Sequence, residues 1–172
     1  MIVPLGQADP AAVETLLDEA FGADRHRRTA YRLRQGVAWL PALSFAAIED
    51  GGLVGTIQCW PIALSPAAGP PRPINLVGPV AVQPGRQRDG LGRRLMQAML
   101  DAAGDRADLV LIGDPEYYGR FFGFTADATG GWSVPGPVER HRLLARLRPG
   151  ASDWPVVAAL GPPLPPALAA AG

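Results

Sequence analysis

The 172-residue sequence carries sixteen basic and sixteen acidic residues, is formally neutral, and is 48 % hydrophobic. A chain of this length buries a sizeable core without metals or disulfides to hold it, and the balance excludes general disorder and gives a polyanion-binding role no electrostatic footing. Every basic residue is arginine, a bias spread along the chain that carries no catalytic meaning, and the single cysteine, Cys59, excludes an intramolecular disulfide.

In chain order, Met1–Gly6 reads as a short strand; it lacks the basic region and apolar run of a signal peptide, and no stretch reaches the ~20 apolar residues of a membrane helix. A soluble, cytoplasmic protein is the expectation. Asp9 then caps a helix with Pro10 in its first turn and Val13, Leu16, Leu17 and Ala20 on one face. A second helix is predicted over about Arg27–Arg34, ending at Gly36. Ser44–Ile48 and Leu53–Trp60 read as strands joined at Asp50-Gly51, a step that favours the positive φ angles of a tight hairpin. After the Pro/Gly-rich loop Ser65–Pro73, Ile74–Val82 reads as a strand distorted at Gly78-Pro79. Gly90–Arg106 is the clearest helix, with an apolar stripe of Leu91, Leu95, Ala98, Met99 and Ala102. Leu109–Ile112 follows as a buried strand, Asp114-Pro115 opens a helix over Glu116–Phe122, and Arg140–Leu147 reads as a terminal strand.

The alternation implies an α/β (α+β) architecture: a mixed central sheet of about six to seven strands with about four helices, in one domain over residues 1–148. Residues 149–172 form a Pro/Ala-rich C-terminal tail. Pro155, Pro162, Pro163, Pro165 and Pro166 exclude a continuous helix there, so an appended arm or frayed terminus is expected.

The segment from Val80 to Gly92 carries the chemistry, running from a strand through a turn into an amphipathic helix. The first amides of a helix have no internal partner and lie at the positive end of its dipole, so a phosphate can be held there by backbone N–H groups. Gly90 and Gly92 let the backbone approach a diphosphate with no Cβ in the way. The phosphate-loop pattern G-x-x-x-x-G-K-S/T, the dinucleotide pattern G-x-G-x-x-G with its downstream acid, and the kinase motifs are all absent from the sequence.

Gln87-x-x-Gly90-x-Gly92, directly after an apolar strand ending in Val82-Gln83-Pro84, resembles the cofactor motif Q/R-x-x-G-x-G/A of the GNAT (GCN5-related N-acetyltransferase) superfamily. The order of elements and the run Tyr117-Tyr118-Gly119-Arg120-Phe121-Phe122-Gly123-Phe124 are similar to that family over roughly residues 1–148. Gly113–Arg120 and Gly136-Pro137-Val138 look like its bacterial YhbS-like subgroup of predicted acetyltransferases. The resemblance implies the GNAT fold, with a sheet splayed between its fourth and fifth strands, and acetyl-CoA or coenzyme A as cofactor. It implies a cofactor site at Val80, Ala81, Val82, Gln87, Arg88, Asp89, Gly90, Leu91, Gly92 and Arg93. The pantetheine arm then lies beside the distorted strand, against the backbone of Val80 and Val82. The reaction it implies is transfer of an acetyl group to a primary amine of a small molecule or peptide, by direct attack in a ternary complex.

Such a transfer needs a neutral amine, stabilisation of an oxyanion, and a proton for the departing thiolate. In the family that proton comes from a tyrosine on the helix after the next strand, which makes Tyr118 the general acid and Tyr117 the second candidate. Four residues separate Tyr118 from Gly123 where the family commonly has three, so Tyr118 is either the acid or a packing aromatic. No carboxylate stands out as general base: Asp114 reads as a helix cap and Glu116 as a solvated first-turn acid. His26 and His141 lack metal-ligand spacing or a triad partner, and no metal is expected. Cys59 reads as a buried structural thiol. The basic stretch Arg25, Arg27, Arg28, Arg32 and Arg34 either attracts an acidic acceptor or forms an exposed helix face. Trp39, Trp60 and Trp132 read as core or cleft wall. The alternative to an enzyme is a non-catalytic acyl-CoA-binding sensor. Nucleic acid and membrane are not expected partners, and the oligomeric state, a homodimer included, stays open.

Overall fold

The computed structural model describes residues 1–164. Pro165, Pro166 and the rest of the tail lie outside the described residues. Eight strands of one mixed sheet and four α-helices follow in the order β1 (Ile2–Pro4), α1 (Pro10–Phe21), α2 (Thr29–Leu33), β2 (Phe45–Glu49), β3 (Gly52–Pro66), β4 (Arg72–Val82), α3 (Leu91–Ala103), β5 (Leu109–Ile112), α4 (Pro115–Phe122), β6 (Gly131–Ser133), β7 (Leu143–Arg146) and β8 (Val157–Gly161). Contacts divide the chain into two compact units, and the long strands β3 and β4 each pass from one to the other.

The first unit comprises Met1–Arg27, Trp39–Cys59 and Val77–Gly104. β1 runs antiparallel to β2, with Ile2 opposite Ala47, and β2 antiparallel to β3, with Phe45 opposite Ile57. Asp50 and Gly51, at φ 49° and 77°, make the hairpin the Asp-Gly step predicts. The Asp9 carboxylate accepts from the Ala11 amide at 3.2 Å and caps α1, whose Val13, Leu16 and Leu17 pack with Leu5, Ala46 and Ala81. Burying each such side chain contributes roughly 1.5–3 kcal/mol. On α3, Leu91, Leu95, Met96 and Met99 are buried. A Cβ on Gly55 of β3 would stand 3.0 Å from the Leu95 side chain and 3.3 Å from that of Leu91, so the glycine is what lets α3 seat on the strand.

The second unit comprises Arg28–Ala38, Trp60–Leu76 and the chain from Asp105 onward. β4 runs parallel to β5 at Asn75–Leu109 and Leu76–Val110, and β5 antiparallel to β7 from Leu109–Arg146 to Ile112–Leu143. Trp132 is fully buried beside Leu33, Ile62, Leu64 and Ile74, its indole donating to the Pro155 carbonyl at 2.8 Å. The buried Asp108 carboxylate accepts from both the backbone N–H and the Nε of Arg148, each at 2.8 Å, which ties the start of β5 to the chain just beyond β7.

Two features depart from the sequence reading. The terminal strand starts at Leu143, because Arg140–Arg142 make a 3₁₀ turn. The tail contributes a strand: β8 pairs antiparallel with β3 (Ala63–Gly161) and parallel with β6 (Trp132–Ala158). Its prolines exclude a helix but flank the strand, and within it Ala158 and Leu160 are buried while Val157 and Ala159 are exposed, the period-two pattern of a half-buried strand.

Candidate cofactor loop and aromatic cluster

β4 ends in Val80 and Val82, both half-buried, around the buried Ala81. The Gln83 amide donates to the Val54 carbonyl at 2.9 Å, and the chain then turns through Arg86 N–H to Gln83 O at 3.0 Å and Asp89 N–H to Arg86 O at 3.2 Å. Gly90 is the N-cap of α3 at φ 69°, a left-handed conformation that glycine adopts without strain, and nothing lies within 4 Å of where its Cβ would stand. A glycine cap brings no side-chain oxygen, so no cap side chain competes for the first-turn amides of α3. Such an end is suited to an oxyanion from outside. Gln87, Arg88, Asp89 and Arg93 are exposed and Gly92 half-buried; Leu91 is buried in the core, which leaves only its backbone to face a ligand.

The sequence reading missed Arg86. Its Nε donates to Asp89 at 2.8 Å and its Nη2 to Glu49 at the end of β2, while Arg94 lies 4.0 Å from the second Glu49 oxygen. Hydrogen bonds to Asp89 first and Glu49 second raise the Arg86 pKa further, so this guanidinium is committed to carboxylates. The legible signal was an arginine three residues before an aspartate in a turn.

In the second unit, Asp114 caps α4 by accepting from the Glu116 amide at 3.0 Å, and Glu116 is exposed, the two roles their positions suggest. α4 is an uninterrupted α-helix from Pro115 to Phe122, closed by Gly123 at φ 73°. Tyr118 packs edge-on against Tyr117, ring centres 5.0 Å apart, and near Phe122 and Phe124 at 6.2 and 6.4 Å. A Cβ on Gly113 would overlap the Tyr118 ring, so the ring rests on bare backbone at the end of β5. Burial, with a smaller push from Tyr117, drives the Tyr118 phenol up to about 12. It is a neutral O–H donor at any physiological pH.

Cys59 is buried and its thiol is pushed up to about 12 by that burial, against a hydrogen bond from the Gly78 backbone, which makes it inert as a nucleophile. The basic stretch is not one solvated face. Arg25 is 2 % exposed and bonded to Glu14 and, at 2.8 Å, to Asp18; Arg34 is 5 % exposed, its guanidinium 3.8 Å over the Tyr31 ring and 4.1 Å over Trp60. Arg27, Arg28 and Arg32 are exposed, Arg32 donating to the Pro135 carbonyl at 3.1 Å. Trp39 packs at the edge of the first core. His26 is exposed, and so is His141, 3.4 Å from Glu139. Among the described residues no group of three or more His, Cys, Asp or Glu could hold a metal ion, and no helix is long and apolar enough to cross a membrane. Two polar atoms unread in the sequence are the Thr56 hydroxyl and the Gln58 Oε1 of β3, both buried with no hydrogen-bond partner.

The profile of the acetyltransferase (GNAT) family matches residues 11–124, a span that includes the whole β4–α3 turn and α4. The chain belongs to the GNAT acetyltransferase family. Among solved structures it is similar to the GNAT family N-acetyltransferase YhbS of Escherichia coli in complex with CoA: TM-score 0.69, 23 % identity, covering 93 % of this chain and 88 % of that one. It is also similar to a GNAT acetyltransferase of Brucella melitensis in complex with acetyl-CoA, TM-score 0.52 and 26 % identity over 85 % of this chain and 94 % of that one. A third, from Kribbella flavida, has TM-score 0.52 at 17 % identity over 73 % of this chain and 32 % of that one. No curated protein matches the chain. The mixed sheet with four helices is the GNAT fold, and the protein is an acyltransferase of the GNAT type.

Proposed function

We propose that the protein is an N-acetyltransferase that moves an acetyl group from acetyl-CoA to a primary amine of a small molecule or peptide, by direct attack within a ternary complex. The observation that carries this reading is the α3 N-terminus, where Gly90 stands in the left-handed region with open space at its Cβ position and no capping side chain, at the end of the turn that follows β4. The residues present fit a diphosphate: the amides from Gly90 through Arg93 would be the donors, with the exposed Arg88 and Arg93 on either side of the cap. The names of the two solved relatives with CoA and acetyl-CoA point the same way.

On this reading acetyl-CoA supplies an activated acetyl thioester. The chain's residues do the rest. The α3 amides anchor the phosphates, the backbone of Val80 and Val82 binds the pantetheine arm as an added strand would, and a β4 amide polarises the thioester carbonyl. Tyr118, whose phenol burial keeps neutral, would give its proton to the departing thiolate and be reprotonated by the proton that the amine nitrogen releases, so that the protons balance.

The test is calorimetric titration with acetyl-CoA and CoA, followed by a screen of small-molecule and peptide primary amines for thiol release. Saturable binding and amine-dependent release are expected. Binding without release to any amine would favour a sensor that holds acyl-CoA without turning it over, and no binding to either ligand would overturn the cofactor assignment.

A further inference from the structure

The turn that carries the cofactor motif contains its own competitor for the anion site. Asp89 directly precedes the Gly90 cap, and a carboxylate at a helix N-terminus is drawn to the first-turn amides by the same dipole that attracts phosphate. In the structure it does not reach them. Asp89 accepts from Arg86 Nε at 2.8 Å, and no amide of the first turn of α3 donates to it. Arg86 in turn reaches the Glu49 carboxylate at the end of β2 through Nη2. The turn has backbone ties at its start, from Gln83 to Val54, and within itself, from Asp89 to Arg86; its middle is anchored to β2 by this one guanidinium.

We infer that Glu49 and Arg86 are positioning residues that hold the Asp89 carboxylate away from the α3 N-terminus and so keep that end open for the cofactor's diphosphate. The inference rests on the proposed acetyl-CoA reading. Arg86 acts through Asp89: its planar fork, one arm on each carboxylate, fixes where the aspartate points, which a lysine's single ammonium would not do. Glu49 sets where the fork stands. The Asp89 side chain is 53 % exposed and those of Arg86 and Glu49 are 39 % and 27 % exposed, so solvent screens these pairs, the arrangement adds little to global stability, and its loss is expected to show in cofactor affinity rather than in unfolding.

The experiment titrates CoA and acetyl-CoA into the full-length protein and five variants, with the melting temperature of each recorded. Arg86→Gln is expected to weaken CoA by about tenfold, the scale of one competing charge at a helix end. Glu49→Gln is expected to weaken it by less, because the Asp89 contact survives, and Glu49→Gln with Arg86→Gln by no more than Arg86→Gln alone. The decisive variant is Arg86→Gln with Asp89→Asn: removing the released carboxylate restores most of the lost affinity, which no general loosening of the turn would do. Arg86→Lys is expected to bind like Arg86→Gln. If wild type binds CoA and Arg86→Gln binds it equally well, or if Asp89→Asn fails to rescue, the inference falls and the acetyl-CoA reading stands. If wild type itself does not bind, the cofactor reading falls first and takes the inference with it.

Discussion

In the turn between β4 and α3, Gln87, Arg88 and Asp89 are exposed, and the conformation is held by backbone hydrogen bonds, a left-handed glycine and the Arg86 fork. In α4 the reverse holds: Tyr118 is set by contacts with Tyr117, Phe122 and Phe124 and by the missing Cβ of Gly113. The first region presents main-chain donors, whose direction is fixed by φ and ψ, so it should tolerate trimming of Gln87 and respond sharply to a change of backbone or of local charge. The second presents a side chain whose position and protonation come from packing, so it should respond to a single methyl group.

The largest expected effect is that of Gly90→Glu, which forces a side chain into the left-handed region at φ 69° and places a carboxylate at the proposed phosphate site. CoA binding should disappear from the calorimetric titration. Gly90→Ala shares the backbone strain, about 1–2 kcal/mol, without the charge, and should retain part of the affinity. Equal binding by all three proteins would show that α3 does not hold the cofactor.

Tyr118→Phe comes next. It leaves the ring packing intact and removes the proton, so thiol release with an active amine should slow by ~10²–10⁴-fold while the CoA dissociation constant stays the same. An unchanged rate would reassign the proton to water or to Tyr117 and make Tyr118 a packing aromatic.

Gly113→Ala probes the same ring from below. The added methyl overlaps Tyr118, and displacing it is expected to lower stability by roughly 1–3 kcal/mol in denaturant titration. A neutral result would mean that the α4 aromatics shift at no cost, which would remove the contrast between the two regions.

The smallest effect is one of pH. A phenol raised to about 12 when folded, from an ordinary value near 10, favours the folded state equally at every pH below 10 and loses that advantage as pH rises toward 12. Near pH 11 the loss attributable to this group is roughly 1 kcal/mol, and Tyr118→Phe should abolish that part of the alkaline decline. Identical alkaline profiles for the two proteins would show that the ring is more hydrated than its packing indicates.

Much of this architecture was legible in the chain because it depends on neighbours in sequence. Asp9 and Asp114 cap α1 and α4 since a cap needs only a side-chain oxygen two residues from an amide, and Asp50-Gly51 makes its hairpin since positive φ is a local preference. The start of α3 near Gly90 was readable from its apolar stripe, which also recurs over a few residues. What only the tertiary structure decided involves partners far apart in sequence. Arg25 and Arg34 look like the exposed arginines beside them, yet one is buried on Glu14 and Asp18 and the other between Tyr31 and Trp60. The strand character of Val157–Gly161 was hidden by its flanking prolines until β3 and β6 supplied the ladder. The Glu49–Arg86 pair spans 37 residues, and the protonation of Tyr118 depends on a glycine and two phenylalanines that bury it. Local dihedral preference and capping act over a few residues and are written in the sequence, whereas burial and charge pairing depend on which distant side chains the fold brings together.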